Sequence, residues 1–141
     1  MQTKASILYV EDDIDTSEMI RIYLSSQGYL VKTVIDSAGA LKRADEDRFD
    51  LFMIDLRLPD GLGADLALKL RELQPTVPIV YYTASAMPEE RLETMSKCGE
   101  AYLIKPDSFE DIEATIENLV AAKRIAERQQ NNRTTFEPYG N

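Results

Sequence analysis

The sequence contains no histidine and a single cysteine, Cys98. Without histidine, the chain cannot build a histidine-based zinc site, a serine–histidine catalytic triad or a phosphohistidine of its own. One thiol cannot form an internal disulfide, which fits a reducing compartment, and we expect Cys98 to pack near a helix end. No apolar run approaches the roughly 20 residues that span a membrane, and the N-terminal segment is too short for a signal peptide. These absences favour a cytoplasmic protein without membrane contact.

Basic residues are scarce relative to acidic ones. The chain has 16 lysines and arginines against 25 aspartates and glutamates, and its net charge is −9. Such a chain repels the phosphate backbone of nucleic acids, so we expect no nucleic-acid binding by this domain. Apolar residues make up 44% of the 141 residues, which is enough for the core of one globular domain.

Short apolar runs alternate with longer amphipathic segments along the chain. Apolar and β-branched runs predict strands at 7–10, 29–35, 51–54, 79–82 and 101–104. The remaining segments predict helices at 15–27, 37–47, 64–73, 88–98 and 108–127. Five strands in strict alternation with five helices predict an α/β fold, a doubly wound parallel sheet with helices on both faces.

The ends and loops of this pattern are also predicted. The domain covers residues 1–128, and its last helix opens with a capping box that begins at Ser108. Residues 129–141 are polar and without periodicity, which predicts a polar tail or a truncated linker. The turn-rich stretch 58–63 predicts a loop.

Four of the predicted strands are followed directly by a polar or charged side chain. The residues are Glu11 and Asp12 after the first strand, Asp55 after the third, Thr83 after the fourth and Lys105 after the fifth. In an open parallel sheet, ligands bind beyond the carboxyl ends of the strands. We therefore expect these side chains to meet at one crevice.

Clustered carboxylates need compensating positive charge, because like charges a few ångströms apart repel each other. A hard divalent cation is one remedy, and Mg2+, with Mn2+ as an alternative, suits carboxylates, waters and a phosphate. The Lys105 ammonium is another remedy. With the Thr83 hydroxyl, these groups would surround a phosphoryl group that Asp55 accepts as nucleophile. Each acid alone can equally be a helix cap, and Asp13 and Asp15 are candidates for that role.

Four segments in combination resemble the receiver domain of two-component response regulators. They are Ile-Leu-Tyr-Val-Glu-Asp-Asp at 7–13, Asp-Leu-Phe-Met-Ile-Asp-Leu-Arg-Leu-Pro-Asp-Gly at 50–61, Tyr-Thr-Ala at 82–84 and Tyr-Leu-Ile-Lys-Pro at 102–106. The resemblance extends from about Lys4 to Arg124. It implies a flavodoxin-like (βα)5 sheet whose strands, numbered along the chain, lie in the order 2-1-3-4-5.

The resemblance also implies a role for each clustered side chain. Asp55 would be the phosphoacceptor, and Lys105 would bridge the phosphoryl oxygens. The implied metal ligands are Glu11, Asp12, Asp55 and the backbone carbonyl of Arg57. Thr83 would be the hydroxyl that moves toward the phosphoryl group. Tyr102 would be its aromatic partner, which turns inward on activation, although a packing tyrosine is an equally ordinary interpretation.

Three positions depart from the family pattern. Arg57 stands beside the site, where a smaller residue is common, and is expected to change how water or a phosphatase reaches an acyl phosphate. Asp107 follows Lys105 and Pro106 where an apolar residue is usual, and Leu62 occupies a position that is often acidic. None of these departures removes a required group.

The implied function is a phosphorelay switch that is not an enzyme. A histidine kinase or a histidine-phosphotransfer protein would donate the phosphoryl group in a magnesium-dependent reaction. The face formed by helix 88–98, strand 101–104 and the helix from 108 would then change and control a downstream protein or pair with a second copy. A stand-alone receiver and one cut from a longer regulator or hybrid kinase both fit.

Three other functions were weighed against this one. An aspartate-nucleophile phosphatase or dehalogenase needs a second acid two residues after the nucleophile, where Arg57 stands. A flavin-binding module has a loop rich in serine and threonine after its first strand, whereas this loop is acidic and repels phosphate. A degenerate receiver that acts as a protein-interaction scaffold without phosphorylation is the remaining alternative, although such receivers usually lack the Asp or the Lys.

Overall fold

The computed structural model of the protein describes residues 2–135, with side chains through residue 132. Its five-stranded sheet is parallel throughout and has the predicted order 2-1-3-4-5. The strands are β1 (Ser6–Val10), β2 (Leu30–Val34), β3 (Leu51–Ile54), β4 (Ile79–Thr83) and β5 (Ala101–Ile104). The helices are α1 (Ile14–Ser26), α2 (Ser37–Glu46), α3 (Gly63–Leu73), α4 (Pro88–Lys97) and α5 (Phe109–Thr135). The predicted doubly wound α/β fold is therefore confirmed.

Alternation along the strands builds one apolar core on each face of the sheet. In β1, Ile7 and Tyr9 belong to the core beneath α1 and α5, whereas Leu8 and Val10 belong to the core beneath α2 and α3. All four side chains are fully buried. A strand segment that is covered on both faces has no polar side, which is why residues 7–10 of β1 and all of β3 are apolar.

The structure corrects two predictions about the regions between and after the main strands. The stretch 58–63 is not only a loop, because Arg57–Leu58 and Gly61–Leu62 form a two-residue antiparallel ladder. The last helix was predicted to end near 127, but it continues to Thr135. Residues 128–135 include neither proline nor glycine, so nothing local stops the helix. Residues 136–141 of the predicted tail lie outside the described residues, and the domain boundary at 128 stays a prediction.

Side-chain caps begin three of the helices. Asp13 accepts a hydrogen bond from the Thr16 N–H at 3.2 Å, so the capping interpretation of Asp13 is confirmed. The Ser108 hydroxyl accepts from the Asp111 N–H at 3.1 Å, as the capping box predicts. The Asp36 side chain caps α2 by accepting a hydrogen bond from the Gly39 N–H at 2.8 Å.

Two distant side chains hold the α2 region against the rest of the domain. Asp60, in the loop after β3, accepts from the first two N–H groups of α2 at 2.9 and 3.0 Å. Gln74 is buried, and its side chain accepts from the Phe49 N–H at 3.0 Å and donates to the Ala44 and Asp47 carbonyls at 2.9 and 2.8 Å.

Among the described helices, none has the length and apolar character needed to cross a membrane.

Candidate functional site

The carboxyl end of the sheet brings three charged side chains together on the face covered by α1 and α5. Glu11 follows β1, Asp55 follows β3 and Lys105 follows β5. Lys105 Nζ donates to Asp55 Oδ2 at 3.0 Å and makes a short hydrogen bond to Glu11 Oε1. Lys105 thus meets Glu11 and Asp55 as expected, although these residues lie 94 and 50 positions before it in the sequence. The ammonium lies between two carboxylates and balances part of their charge.

Glu11 is held in place from several directions. Its side chain is only 1% exposed, and it accepts hydrogen bonds from the Tyr9 hydroxyl at 3.1 Å and the Asp13 N–H at 3.2 Å. Burial raises the pKa of the Glu11 carboxyl, while the hydrogen bonds from Lys105 and Asp13 oppose that rise. Burial raises the pKa of the Tyr9 hydroxyl, and the neighbouring Glu11 carboxylate raises this pKa further. The Tyr9 hydroxyl therefore keeps its proton and acts as a donor.

Lys105 is half-buried, with 19% of its side chain exposed. Burial alone would lower the pKa of this ammonium, but its hydrogen bonds to Glu11 and Asp55 outweigh burial and leave the pKa raised. The ammonium also lies 5.6 Å from the centre of the Tyr82 ring. Lys105 is therefore a permanent positive charge at this crevice.

Asp12 completes a cluster of three carboxylates. Glu11, Asp12 and Asp55 each offer an oxygen, and these oxygens lie within 4.8 Å of one another. Glu11 and Asp55 are buried, and Asp12 is exposed. The all-oxygen donor set fits a hard divalent cation. The predicted ligand role of the Arg57 backbone carbonyl stays a prediction.

The turn after Asp55 depends on the absence of a side chain at Gly63. The Gly63 N–H donates to the Leu56 carbonyl at 2.6 Å, which brings the start of α3 against the end of β3. A Cβ at Gly63 would overlap the backbone carbonyl oxygen of Asp55. Only glycine fits this close approach, so Gly63 fixes the backbone that carries Asp55.

Thr83 and Tyr102 lie on the opposite face of the sheet, toward α4. Both side chains are buried. The Ser85 N–H lies 3.5 Å from the Thr83 hydroxyl oxygen, and the Tyr102 hydroxyl donates to the Ser85 carbonyl at 2.9 Å. The Tyr102 ring packs 6.1 Å from the Tyr81 ring. Because Tyr102 is only 6% exposed here, the inward turn expected from the sequence would start from a ring that is already buried.

An ion pair joins the site to α4. Arg57 lies two residues after Asp55, and its N–H is 3.4 Å from Asp55 Oδ1. One Arg57 guanidinium nitrogen, Nη2, donates to both carboxylate oxygens of Glu90 at 3.1 and 2.9 Å. Glu90 belongs to the first turn of α4. This pair therefore connects the loop after the candidate phosphoacceptor to the helix of the predicted output face.

Sequence reasoning missed several contributors to the site. Tyr9 has a sequence signal, since it lies two residues before Glu11 and therefore faces the same side of β1. Gly63 also has a signal, because a glycine at the end of a turn-rich loop suggests a close backbone approach. The contacts of Ser85 and Glu90 have none, because their partners lie 17 and 33 residues away in sequence.

Comparison with known proteins places these observations in a family context. A family model described as "Response regulator receiver domain" matches residues 7–117. The chain is 34% identical over 114 residues to the two-component response regulator PhoP of Pseudomonas aeruginosa, covering 81% of this chain and 51% of that protein. It is 29% identical over 132 residues to the transcriptional regulatory protein RprY of Bacteroides fragilis, covering 94% of this chain and 56% of that protein. The chain therefore spans about half the length of these relatives.

Solved structures show the same fold. A two-component response regulator from Clostridium difficile aligns with a TM-score of 0.80 and 28% identity, covering 85% of this chain and 97% of that one. A CheY-like receiver domain protein from Methanospirillum hungatei aligns with a TM-score of 0.83 and 24% identity, covering 89% and 99%. At that lower identity, the second similarity bears on the fold alone.

Proposed function

The chain belongs to the response regulator receiver domain family, and from that membership we propose that it is a phosphorelay switch with Asp55 as phosphoacceptor. Receiver domains are regulatory phosphoacceptors, and the proposed activity of this chain is limited to its own phosphoryl transfer and hydrolysis. The observation that carries the proposal is the position of Lys105, which contacts both Asp55 and Glu11 at the end of the sheet. A lysine so placed can neutralise phosphoryl oxygens that arrive at Asp55.

The two oxygens of Asp55 have different partners. Oδ2 accepts from Lys105 at 3.0 Å, whereas the only donor to Oδ1 among the described residues is the more distant Arg57 N–H at 3.4 Å. Oδ1 is therefore the oxygen proposed to attack. It attacks the phosphorus of a donor phosphohistidine, and the new O–P bond forms as the N–P bond breaks. The leaving imidazole keeps the electron pair of that bond and takes up a proton from solvent.

Glu11, Asp12, Asp55 and the Arg57 backbone carbonyl are proposed to hold Mg2+, or Mn2+ in its place. When bound, the cation would neutralise negative charge on the transferring phosphoryl group. Lys105 supplies a second positive charge through its contacts with Glu11 and Asp55, and Tyr9 keeps the buried Glu11 carboxylate oriented. The short distances among the carboxylates support this assignment.

The phosphodonor is proposed to be a histidine kinase or a histidine-phosphotransfer protein in the cytoplasm. The chain has no histidine and so cannot supply the phosphohistidine itself. The downstream partner is a protein or a second copy of this domain, bound through the face of α4, β5 and α5. Met87 and Leu92 support such a contact, because they lie before and within α4 and are 60% and 74% exposed. Neither nucleic acid nor a membrane is a proposed partner of this domain.

Phosphorylation by a small donor tests the proposal. The protein is incubated with acetyl phosphate and Mg2+, and its intact mass is measured. We expect one added phosphoryl group on the native chain, none on Asp55→Asn, and normal labelling of Asp60→Asn, which removes an acid five residues further along. A folded native chain that takes no phosphoryl group would instead support the scaffold alternative.

A further inference from the structure

The ion pair between Arg57 and Glu90 spans two functional regions of the domain. Arg57 belongs to the loop after β3, and Glu90 belongs to the first turn of α4. The Arg57 side chain is 67% exposed, whereas that of Glu90 is 29% exposed. An exposed ion pair of this kind is weak and readily exchanges partners. Arg57 is therefore held by Glu90 but is not locked in place.

The backbone of Arg57 lies next to the oxygen that is proposed to carry the phosphoryl group. Its N–H is 3.4 Å from Asp55 Oδ1, and Lys105 occupies the other carboxylate oxygen. A phosphoryl group formed on Oδ1 would therefore lie on the Arg57 side of Asp55. It would add about two negative charges close to the Arg57 backbone, whereas the present partner of the Arg57 guanidinium carries one.

Phosphoryl oxygens are stronger partners for arginine than an exposed carboxylate is. A guanidinium can donate two parallel hydrogen bonds to a phosphoryl group, and such charge-assisted pairs are short and strong. In the present pair, by contrast, a single nitrogen of Arg57 serves both oxygens of Glu90. Among the residues that the structure describes, the other terminal nitrogen, Nη1, makes no hydrogen bond to Glu90.

We propose that Arg57 is a switch residue that exchanges Glu90 for the phosphoryl oxygens when Asp55 is phosphorylated. This inference rests on the proposed function, and it adds a contact that the Thr83–Tyr102 pair does not provide. In the unphosphorylated protein, Arg57 fastens the first turn of α4 to the loop after β3. In the phosphorylated protein, the guanidinium covers the acyl phosphate, and Glu90 with the first turn of α4 is released.

Two consequences follow from the exchange. The first turn of α4 becomes more open on phosphorylation, since it loses its ion pair to the loop. The acyl phosphate lasts longer, because the guanidinium occupies part of the approach that water needs. A groove of about 170 Å3 lies beside the pair, between the start of α3 and α4, and its lining includes Arg57, Glu90 and Glu93.

Hydrogen exchange of peptides covering residues 86–98 tests the inference, with the phosphorylated fraction measured by intact mass in the same samples. The variants are Arg57→Met, Arg57→Lys and Glu90→Gln. The matched control is Glu93→Gln, which neutralises an acid on the same helix that pairs with Lys97 instead. Each protein is measured with and without acetyl phosphate and Mg2+, and the decay of the acyl phosphate is followed after the donor is removed.

In the native chain and in Glu93→Gln, phosphorylation is expected to speed exchange at the start of α4 several-fold. In Glu90→Gln and Arg57→Met, exchange at the start of α4 should already be fast without acetyl phosphate. Phosphorylation should then change it little, once the exchange is corrected for the phosphorylated fraction. Arg57→Met is also expected to lose its phosphoryl group several-fold faster, and Arg57→Lys to recover part of the lifetime.

The inference would be overturned if phosphorylation sped exchange at the start of α4 as much in Glu90→Gln and Arg57→Met as in the native chain, with native phosphoryl lifetimes. The phosphoacceptor proposal would remain intact. A native chain that accepts no phosphoryl group would overturn both. The two failures are separated by the intact-mass measurement, which reports labelling independently of exchange.

Discussion

The carboxylate cluster predicts that an Asp12→Ala substitution stabilises the fold without Mg2+ and weakens the response of the fold to Mg2+. The oxygens of Glu11, Asp12 and Asp55 lie within 4.8 Å of one another, a separation at which two unit charges repel by roughly 1 kcal/mol in water and about 3.5 kcal/mol at an effective dielectric of 20. Because Asp12 is exposed, the lower figure applies. Without Mg2+, Asp12→Ala should therefore be more stable than the native chain by about 1 kcal/mol.

With Mg2+ at about ten times the native Kd, this advantage of Asp12→Ala should disappear, because the native chain gains more from the cation. A cation at about ten times its Kd stabilises the native fold by roughly 1.4 kcal/mol, because it binds the folded state and not the unfolded one. If the loss of Asp12 raises the Kd tenfold, the same concentration stabilises the variant by only about 0.4 kcal/mol. Urea unfolding with and without Mg2+, at matched ionic strength, measures both quantities.

Asp15→Ala is the matched control for this experiment. Asp15 is an exposed acid in the first turn of α1, three residues from Asp12 and outside the carboxylate cluster. It changes the net charge by the same amount, so its Mg2+ response should remain native. The reasoning is refuted if Asp12→Ala keeps the full Mg2+ stabilisation that Asp15→Ala shows.

Three further substitutions test contacts that hold the fold together. Gly63→Ala should destabilise the fold by about 2 kcal/mol or more and reduce labelling at Asp55, because the new methyl group meets the Asp55 carbonyl; unchanged urea unfolding would contradict this. Gln74→Ala should cost roughly 3 kcal/mol in urea unfolding, since three backbone groups lose their partner, and a cost below about 1 kcal/mol would count against that role. Hydrogen bonds from the start of α2 lower the pKa of Asp60, so its stabilising effect is present near neutral pH and lost as the pH falls below about 4. The stability difference between the native chain and Asp60→Ala should therefore shrink in acid, and a difference that grows in acid would reverse the sign of the argument.

The sheet and the meeting of the charged residues were predictable from local patterns. Residues 7–10 of β1 and all of β3 are buried and apolar, and each segment is followed at once by a carboxylate. Parallel strands place their carboxyl ends at one edge, so the meeting of Glu11, Asp55 and Lys105 follows from the sequence pattern. The same rule could not say that Thr83 and Tyr102 face the other side of the sheet. Alternate residues of β4 and β5 face opposite sides of the sheet. The sequence does not show which residue faces which side, because both sides are apolar.

Features that depend on contacts between distant residues were not predictable. The Arg57–Glu90 pair joins positions 33 residues apart, and nothing in either local sequence requires it. The buried position of Tyr102 depends on the carbonyl of Ser85, which lies on a different loop. The extension of α5 to Thr135 has a different explanation. Residues 128–135 are polar and without periodicity, which suggests the end of a helix, but they include no helix breaker.

The most direct measurement locates the phosphoryl group in the chain. The protein is phosphorylated with acetyl phosphate and Mg2+ and then treated with borohydride, which reduces an aspartyl phosphate to homoserine. Peptide mass spectrometry identifies the modified position. We predict homoserine at residue 55 alone, and none after treatment of Asp55→Asn. Homoserine at Asp12 or at another aspartate, with residue 55 unmodified, would contradict the assignment of Asp55 as the phosphoacceptor.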